Sequence, residues 1–259
     1  MNSGSATATV DFIDTHEAPK KRIAVLESPE KLSSVSIIFP AYNEQENITR
    51  SIQNAIKAFS KYFHTVTIIP VNDGGEDSTG EIIDTLAAFD ERIKPIHHQY
   101  NQGYGAALRS GFAAAKNDYV FFSDSDGQFD LEEITRLLTY VDSYDLILGY
   151  RENRADPFHR RVNGWAWSSL VRFFFKIKVK DIDCAFKLFR RDIFDVIKLE
   201  AGGAMVNTEL LALAKKRGFS MINVSVSHYP IEAGEQTGAN PFVILKAFYE
   251  LFKLHAKIS

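Results

Sequence analysis

The chain has 259 residues, of which 45% are hydrophobic and 24% charged, a composition typical of a folded domain with a sizeable core. Its net charge of −3 argues against a general nucleic-acid-binding protein, so no nucleic-acid partner is expected. The single cysteine, Cys184, excludes an internal disulfide framework and favours a reducing, cytoplasmic environment. The sequence contains neither a basic-then-apolar leader nor an apolar run of about 18 residues, so we expect neither a signal peptide nor a membrane span.

Residues 1–33 have no sustained hydrophobic period and are predicted to form a flexible arm. Strands and helices then alternate along the chain. Short β-branched or aromatic runs predict strands at Val35–Phe39, Val66–Val71, Ile93–His97, Tyr119–Ser123 and Asp145–Gly149. Helical periods predict helices at 46–63, from Asp77 or Ser78 onward, at 105–116 and at 131–140. We expect one domain over residues 34–240, followed by an amphipathic helix at 241–259.

This alternation predicts an α/β fold with a mostly parallel sheet, helices on both faces and right-handed crossovers. In such sheets, ligands bind beyond the carboxyl ends of the strands. Three polar segments follow predicted strands directly, namely Pro40–Glu44, Asn72–Gly74 and Asp124–Asp126. They are therefore predicted to line one crevice.

Asp124 and Asp126 follow the buried run Tyr119–Ser123 and stand two positions apart. In an extended segment their carboxylates point to the same side, and two like charges held together require a cation. Mg²⁺ and Mn²⁺ accept such carboxylates and keep positions open for phosphate oxygens. The alternative is a simple Asp-x-Asp-Gly turn that ends the strand.

Five motifs, taken in order and spacing, resemble the inverting family-two glycosyltransferases of the GT-A fold. They are Ile37–Glu44, Val71–Thr79, Asn101–Gly111, Asp124–Asp126 and the later set Gly149–Arg151, Arg160–Arg161, Asp181–Arg190 and Thr208–Leu211. The later set is similar to the polyprenyl-phosphate (dolichol-phosphate) sugar synthases of that family. The resemblance covers roughly residues 34 to 240.

The resemblance implies a nucleotide-sugar donor, GDP- or UDP-linked, a divalent metal and a polyprenyl-phosphate acceptor. It places Pro40, Tyr42, Glu44, Asp73, Gly103, Arg109, Asp124 and Gln128 in donor binding. It places Asp124 and Asp126 at the metal, and Asp126, Arg151, Arg161 and Glu209 in the catalytic region. The expected roles of Arg151 and Arg161 are contacts with the acceptor phosphate.

Purely structural interpretations stay open for several of these residues. Tyr42 fits a core aromatic, Asp73 fits a turn residue, and the two arginines fit solvated surface charges. Glu209 fits an ordinary acid in the first turn of a helix better than a direct catalytic residue. The chain also carries Ile231 where relatives have a basic residue in the His-Tyr-Pro-x segment, so one phosphate contact is expected to be missing.

Residues 151–180 contain eight Lys or Arg against two acids, a local charge of +6. Trp165, Trp167 and Phe173–Phe175 are interleaved with these cations, and the apolar tail Phe242–Phe252 also carries lysines. Aromatic rings beside cations suit an anionic membrane surface, although packing under the sheet is the alternative. We therefore expect a peripheral protein at the cytoplasmic face of a membrane, with a homo-oligomer or a separate anchoring partner left open.

The expected reaction is an inverting, metal-dependent transfer of a sugar from a nucleotide-sugar to the phosphate of a polyprenyl phosphate. Two alternatives remain. One is a family-two enzyme acting on a sugar hydroxyl, with Glu209 or Asp183 as base. The other is a nucleotide-sugar-binding protein without activity, which the presence of Ile231 favours.

Overall fold

A computed structural model describes residues 10–12, 30–152, 158–203, 205–230 and 241–258, without the side chains of 10–12, 158–161 and 241–249. Eight strands form one sheet. They are β1 (Val10–Phe12), β2 (Leu32–Ala41), β3 (Phe63–Asn72), β4 (Ile96–His97), β5 (Tyr119–Ser123), β6 (Leu146–Arg151), β7 (Phe186–Arg190) and β8 (Met221–Val226). The helices are α1 (Ile48–Phe59), α2 (Thr79–Phe89), α3 (Tyr104–Ala114), α4 (Ile134–Leu138), α5 (Phe158–Phe175), α6 (Ile193–Val196), α7 (Met205–Lys216) and α8 (Pro241–Ile258).

The strand order is β1-β8-β6-β7-β5-β2-β3-β4. The pairs β2–β3, β2–β5, β3–β4 and β6–β8 are parallel, whereas β7 runs antiparallel to both β5 and β6, and β1 runs antiparallel to β8. The predicted α/β class and mostly parallel sheet with helices on both faces are confirmed. The antiparallel β7 joins two parallel halves, so the ends of β2, β3 and β5 lie beside the ends of β6 and β8.

The two faces of the sheet bury separate apolar layers. On one face α3, α5, α7 and α8 pack on the strands, with buried side chains such as Phe112, Val171, Leu211 and Leu254. On the other face α1, α2 and α4 do so through Ile52, Ile83 and Leu137. The central strands are buried on both sides, which explains why they read as continuous apolar runs rather than as alternating ones.

The structure differs from the sequence-based elements in three places. The predicted strand at Ile93–His97 is a pair of residues, Ile96–His97, with Ile93 bridging to Ile68. No strand is predicted from the sequence at Phe186–Arg190 or at Met221–Val226, which form β7 and β8. Within the predicted arm, Val10–Phe12 pairs with β8, while residues 1–9 and 13–29 lie outside the described residues. The predicted domain boundaries stay predictions.

Helices α5 and α8 each present both a packed and an exposed side. Val171 of α5 and Leu251 of α8 are buried, but Trp165, Phe173 and Phe252 are exposed. Phe174 joins the two helices, because its ring centroid lies 5.3 Å from that of Phe252. Among the residues that the structure describes, no helix combines the length and the apolar character needed to cross a bilayer.

Candidate active site

The three polar segments predicted to share a crevice do meet at the carboxyl edge of the sheet. The Asp73 N–H donates to the Ala41 carbonyl at 2.9 Å, which ties the end of β3 to the end of β2. The Ser125 hydroxyl donates to the Pro40 carbonyl at 3.1 Å, which ties the end of β5 to β2. Because β2 lies between β3 and β5, these bonds hold the three strand ends side by side.

The Asp124–Asp126 loop is anchored through its middle residue. Ser125 is buried, and its carbonyl accepts a bond from the Ser51 hydroxyl of α1 at 2.8 Å. Gly127 then takes a left-handed backbone with φ of 75°, and a Cβ there would lie 2.6 Å from the Arg50 guanidinium. The left-handed backbone favours glycine at this turn, and the Arg50 guanidinium packs against it.

Asp124 is strongly affected by its surroundings. Burial of the carboxyl raises the pKa of Asp124 to about 7, and the charge of Asp126 adds to this rise. The Tyr104 hydroxyl, at the start of α3, hydrogen-bonds to Asp124, and Asn207 of α7 hydrogen-bonds to the same hydroxyl. Burial first, and then the charge of Asp124, raises the pKa of Tyr104 well above its usual value, so this hydroxyl stays a donor.

The acids around this loop outnumber the bases. Four carboxylates, those of Asp124, Asp126, Asp181 and Asp183, act on the same region as two cations, Arg151 and Lys187. If all six are ionised, the cluster carries a net charge of −2, which one divalent cation would offset. No set of three or more His, Cys, Asp or Glu ligands converges among the described residues. Two carboxylates with other positions left to water and phosphate are the ligand set that Mg²⁺ and Mn²⁺ use, so the residues fit such a metal.

Arg151, at the end of β6, is held by Asp181 in a two-bonded pair. Its Nε lies 2.7 Å from Asp181 Oδ2 and its Nη2 lies 2.9 Å from Asp181 Oδ1. The pair is largely buried, and the charge of Arg151 lowers the pKa of Asp124 against the effect of burial. The predicted acceptor arginine therefore lies beside the candidate metal site with its guanidinium fixed in one orientation.

A buried lysine supports the same region from inside the sheet. Lys187 of β7 is fully buried, and its Nζ donates to the carbonyls of Ile182, at 3.0 Å, and Cys184. Its Nζ also lies 5.1 Å from the centroid of the Phe122 ring. Burial lowers the pKa of Lys187. These bonds fix the loop that carries Asp181 and Asp183.

Asp73 is only 3% exposed, and its carboxylate is used within the protein. The N–H groups of Gln102 and Gly103 donate to it at 3.0 and 2.7 Å. His98 Nδ1 lies 2.6 Å from the same carboxylate, and His98 Nε2 lies 2.9 Å from the Ser110 hydroxyl. In this structure Asp73 holds the Gln102–Gly103 turn at the start of α3, and a direct contact with a nucleotide base stays a prediction.

The remaining predicted donor residues lie around the crevice rim. Tyr42 is exposed, and Glu44 is half-buried with its pKa raised first by burial. The Gln128 side-chain amide donates to the Tyr229 carbonyl at 2.9 Å, which joins the loop after β5 to the segment after β8. The roles of these side chains in donor binding stay predictions.

Arg109 and Glu209, predicted for donor binding and catalysis, both hold one loop. The Arg109 guanidinium donates to the Ala201 carbonyl, and Glu209 Oε2 accepts bonds from the N–H groups of Glu200 and Ala201 at 2.8 and 2.7 Å. Gly105 lets this loop approach α3, because a Cβ there would lie 2.8 Å from Gly202 and Gly203. The geometry thus gives Arg109 and Glu209 a positioning role at the loop.

Two predicted residues cannot be placed. Arg161 belongs to α5, but its side chain lies outside the described part of the structure, and Ile231 lies outside the described residues altogether. Four further residues belong to the candidate site but are not predicted from the sequence, namely Arg50, Tyr104, Asn207 and Lys187. Lys187 carried a visible indication, since it is the one charged residue inside the apolar run Ala185–Phe189.

Comparisons with known proteins show which family the chain belongs to. The family described as Glycosyl transferase family 2 matches residues 36–198. The glycosyltransferase AglD of Haloferax volcanii is 32% identical over 206 residues, which is 76% of this chain and 33% of AglD. The polyprenol monophosphomannose synthase of Mycolicibacterium smegmatis is 30% identical over 223 residues, 79% of this chain and 81% of that protein.

A third relative is the undecaprenyl-phosphate 4-deoxy-4-formamido-L-arabinose transferase of Proteus mirabilis, 28% identical over 80% of this chain and 63% of its own length. The chain therefore spans a third of AglD and less than two thirds of the Proteus protein.

Solved structures share the fold. Glucosyl-3-phosphoglycerate synthase from Mycobacterium tuberculosis, solved with Mn²⁺, UDP and phosphoglyceric acid, gives a TM-score of 0.64 at 18% identity, covering 87% of this chain and 78% of that one. S. aureus TarS 1-349 with UDP-GlcNAc gives 0.58 at 18% identity, covering 87% and 66%. The GT-A architecture predicted from the sequence is thereby confirmed, and the chain belongs to glycosyl transferase family 2.

Proposed function

We propose that this protein transfers a sugar, with inversion, from a nucleotide-sugar to the phosphate of a polyprenyl phosphate at a membrane surface. The observation that carries the proposal is the Asp124–Asp126 carboxylate pair at the end of β5 with the fixed Arg151 beside it. The names of relatives support it, since one makes polyprenol monophosphomannose and another acts on undecaprenyl phosphate.

The donor side is assigned to the carboxyl ends of β2, β3 and β5. Asp124 and Asp126 would hold a Mg²⁺ or Mn²⁺ ion, which supplies Lewis-acid neutralisation of the diphosphate leaving group. Tyr104 would orient Asp124 through its hydroxyl, and Ser125 anchors the loop that carries both carboxylates to the end of β2. Tyr42, Glu44 and the Gln102–Gly103 turn are the proposed contacts of the nucleotide.

The acceptor side is assigned to Arg151 and Arg161. A phosphate monoester has a second pKa near ~6, so its oxygen is already ionised at neutral pH and needs no strong general base. Glu209 Oε2 accepts bonds from two backbone N–H groups, whereas a general base must contact the substrate. This bonding supports a reaction in which Glu209 is not the base. Arg151 would orient the acceptor phosphate and offset the repulsion between two anionic substrates.

A hydroxyl acceptor is the second candidate. Asp183 is half-buried, and its charge acts on both Tyr104 and Lys187, which places it near the metal-binding carboxylates. A carboxylate in that position could remove a proton from a sugar hydroxyl.

The membrane association is proposed to be peripheral, at the cytoplasmic face. The exposed aromatics of α5 and α8, together with the local charge of +6 over residues 151–180, support it. A homo-oligomer or a separate anchoring partner would be compatible with the same surface.

An activity assay tests the proposal. The protein is incubated with Mn²⁺, a short-chain polyprenyl phosphate and, in turn, GDP-mannose, UDP-glucose and UDP-N-acetylhexosamines. We expect acceptor-dependent release of nucleoside diphosphate with at least one donor, and its loss on chelation. Donor binding without release across the whole panel would instead favour a non-catalytic nucleotide-sugar-binding protein.

A further inference from the structure

A cavity of about 430 Å³ lies beside the end of α5 and is lined by neither Asp124 nor Asp126. Four cations line it, Arg172, Lys176, Lys178 and Lys180, together with Asn223 and two aliphatic side chains. No acidic side chain lines it. A cavity with this lining has the chemistry of an anion-binding site.

The extended segment 176–180 builds the cavity. The side chain of Asn223 in β8 fixes it, because Asn223 Oδ1 accepts from the Lys180 N–H at 3.0 Å and Asn223 Nδ2 donates to the Lys178 carbonyl at 2.9 Å. Ile177 and Val179 are buried while Lys176 and Lys178 are exposed. This alternation of period two turns the lysines away from the core and towards the cavity.

Placing these cations close together costs electrostatic free energy, because like charges repel. Among the described residues, Arg172, Lys176 and Lys178 form no ion pair, and Arg172 donates only to the Ser169 hydroxyl, at 2.7 Å. Lys176 has a left-handed backbone, with φ of 53°, where a helix usually ends in glycine. Burial first, and then Lys176 and Lys178, lowers the pKa of the neighbouring Lys215. A bound anion would offset this repulsion.

Exposed aromatic rings lie on the two helices α5 and α8, and one of them follows the cavity residue Arg172 directly in the sequence. Phe173 is 77% exposed and stands between Arg172 and Lys176 in the sequence, and Phe252 of α8 is 56% exposed. Both rings contact Phe174, with centroids 5.6 and 5.3 Å from its own. Exposed apolar rings on the same helix as a cationic cavity match a lipid surface, where rings enter the interface and cations meet headgroup phosphates.

We propose that this cavity binds the phosphate of an anionic phospholipid headgroup while Phe173 and Phe252 enter the interface. The proposal deepens the proposed function, on which it rests, because it assigns the membrane contact to a defined site. Segment 176–180 continues directly into Asp181, the partner of Arg151. Docking here therefore brings the acceptor side of the candidate active site to the membrane.

Vesicle flotation tests the proposal, with phosphatidylcholine vesicles compared with vesicles that also contain phosphatidylglycerol. The variant is Lys176→Gln/Lys178→Gln, and the matched control is Lys57→Gln/Lys94→Gln, which removes the same charge from exposed lysines near the opposite edge of the sheet. We expect the variant to bind phosphatidylglycerol vesicles on the order of 30-fold more weakly than the control, since each lost cation contributes. Thermal unfolding checks that both variants fold.

Three results would overturn the proposal. One is equal vesicle binding by variant and control, and another is wild-type protein that ignores phosphatidylglycerol. The third is unchanged vesicle binding with lost turnover on a detergent-solubilised short-chain acceptor, which would assign the cavity to the acceptor itself. If no sugar transfer is found with any acceptor, the proposed function fails, yet the comparison of variant with control still decides whether the cavity binds headgroups.

Discussion

The charge of Asp126 raises the pKa of Asp124. Removing that charge should lower turnover without lowering the stability of the fold. In Asp126→Asn the amide oxygen can still accept the Gln128 N–H bond, which is 3.0 Å long in the structure. We expect the melting temperature of the metal-free protein to hold or rise, because a like charge beside Asp124 is removed. Turnover at saturating Mn²⁺ should fall more than tenfold. A variant that keeps more than a tenth of the wild-type rate would contradict the metal assignment.

Glu209 is expected to matter for structure more than for chemistry. In Glu209→Gln, two charge-assisted bonds to backbone N–H groups become neutral ones, and unfolding should cost about 1 kcal/mol less. The rate should fall far less than the ~10²–10⁴-fold of a lost general base. Steady-state kinetics measure the rate, and denaturant unfolding measures the free energy of unfolding. A rate that falls by ~10²–10⁴-fold while stability and donor binding stay unchanged would favour the hydroxyl-acceptor alternative.

Some residues of the candidate site can be predicted from the sequence and others cannot. The Asp124–Asp126 pair could be predicted because a two-residue spacing after a strand fixes where both side chains point. The roles of Arg109 and Glu209 could not, since their side chains meet a loop, Glu200–Gly203, that only tertiary packing brings over α3. The apolar run around Lys187 indicates its burial, but its partners, the carbonyls of Ile182 and Cys184, are known only from the folded structure.

At the scale of elements, the first half of the sheet follows from local patterns. The strands β2, β3 and β5 are apolar runs that stop at polar turns, and their parallel order follows from the intervening helices. Strand β7 is different. It is inserted antiparallel between β5 and β6, and neither its partners nor its direction is encoded within Phe186–Arg190. Pairing over such distances in sequence is decided by the assembled core.

The loop Glu200–Gly203 offers a test of Arg109 as a positioning residue. In Arg109→Ala the bond to the Ala201 carbonyl is lost, so amide hydrogens at 200–203 should exchange faster with solvent. Hydrogen exchange read by mass spectrometry measures this, and nucleotide-sugar titration measures donor affinity in the same variant. Unchanged exchange with a large loss of donor affinity would instead support the direct donor contact predicted from the sequence.

At the scale of the whole molecule, the Asp124–Asp126 carboxylate pair should make stability depend on pH. The pKa of Asp124 is about 7 when folded and near its ordinary value when unfolded, so the folded protein binds the proton more tightly. This contribution is fully present below about pH 4 and is lost as pH rises through about 7.

Urea unfolding of metal-free protein across this window measures the effect. The total loss of unfolding free energy between about pH 4 and pH 7 should be smaller in Asp126→Asn, because that variant lacks one cause of the raised pKa. Equal losses in wild type and variant would show that the two carboxylates do not interact.

Strand β7 joins the two sides of the molecule, since it lies between β5 and β6. The proposed donor strands β2, β3 and β5 lie on one side of it, and Arg151 at the end of β6 lies on the other. The central claim is that the acceptor is a lipid phosphate. Its most direct test gives the enzyme, Mn²⁺ and a radiolabelled nucleotide-sugar a choice between a short-chain polyprenyl phosphate and the corresponding polyprenol. We expect label in the lipid phase with the phosphate and none with the alcohol. Transfer to the alcohol or to a saccharide, with none to the phosphate, would contradict it.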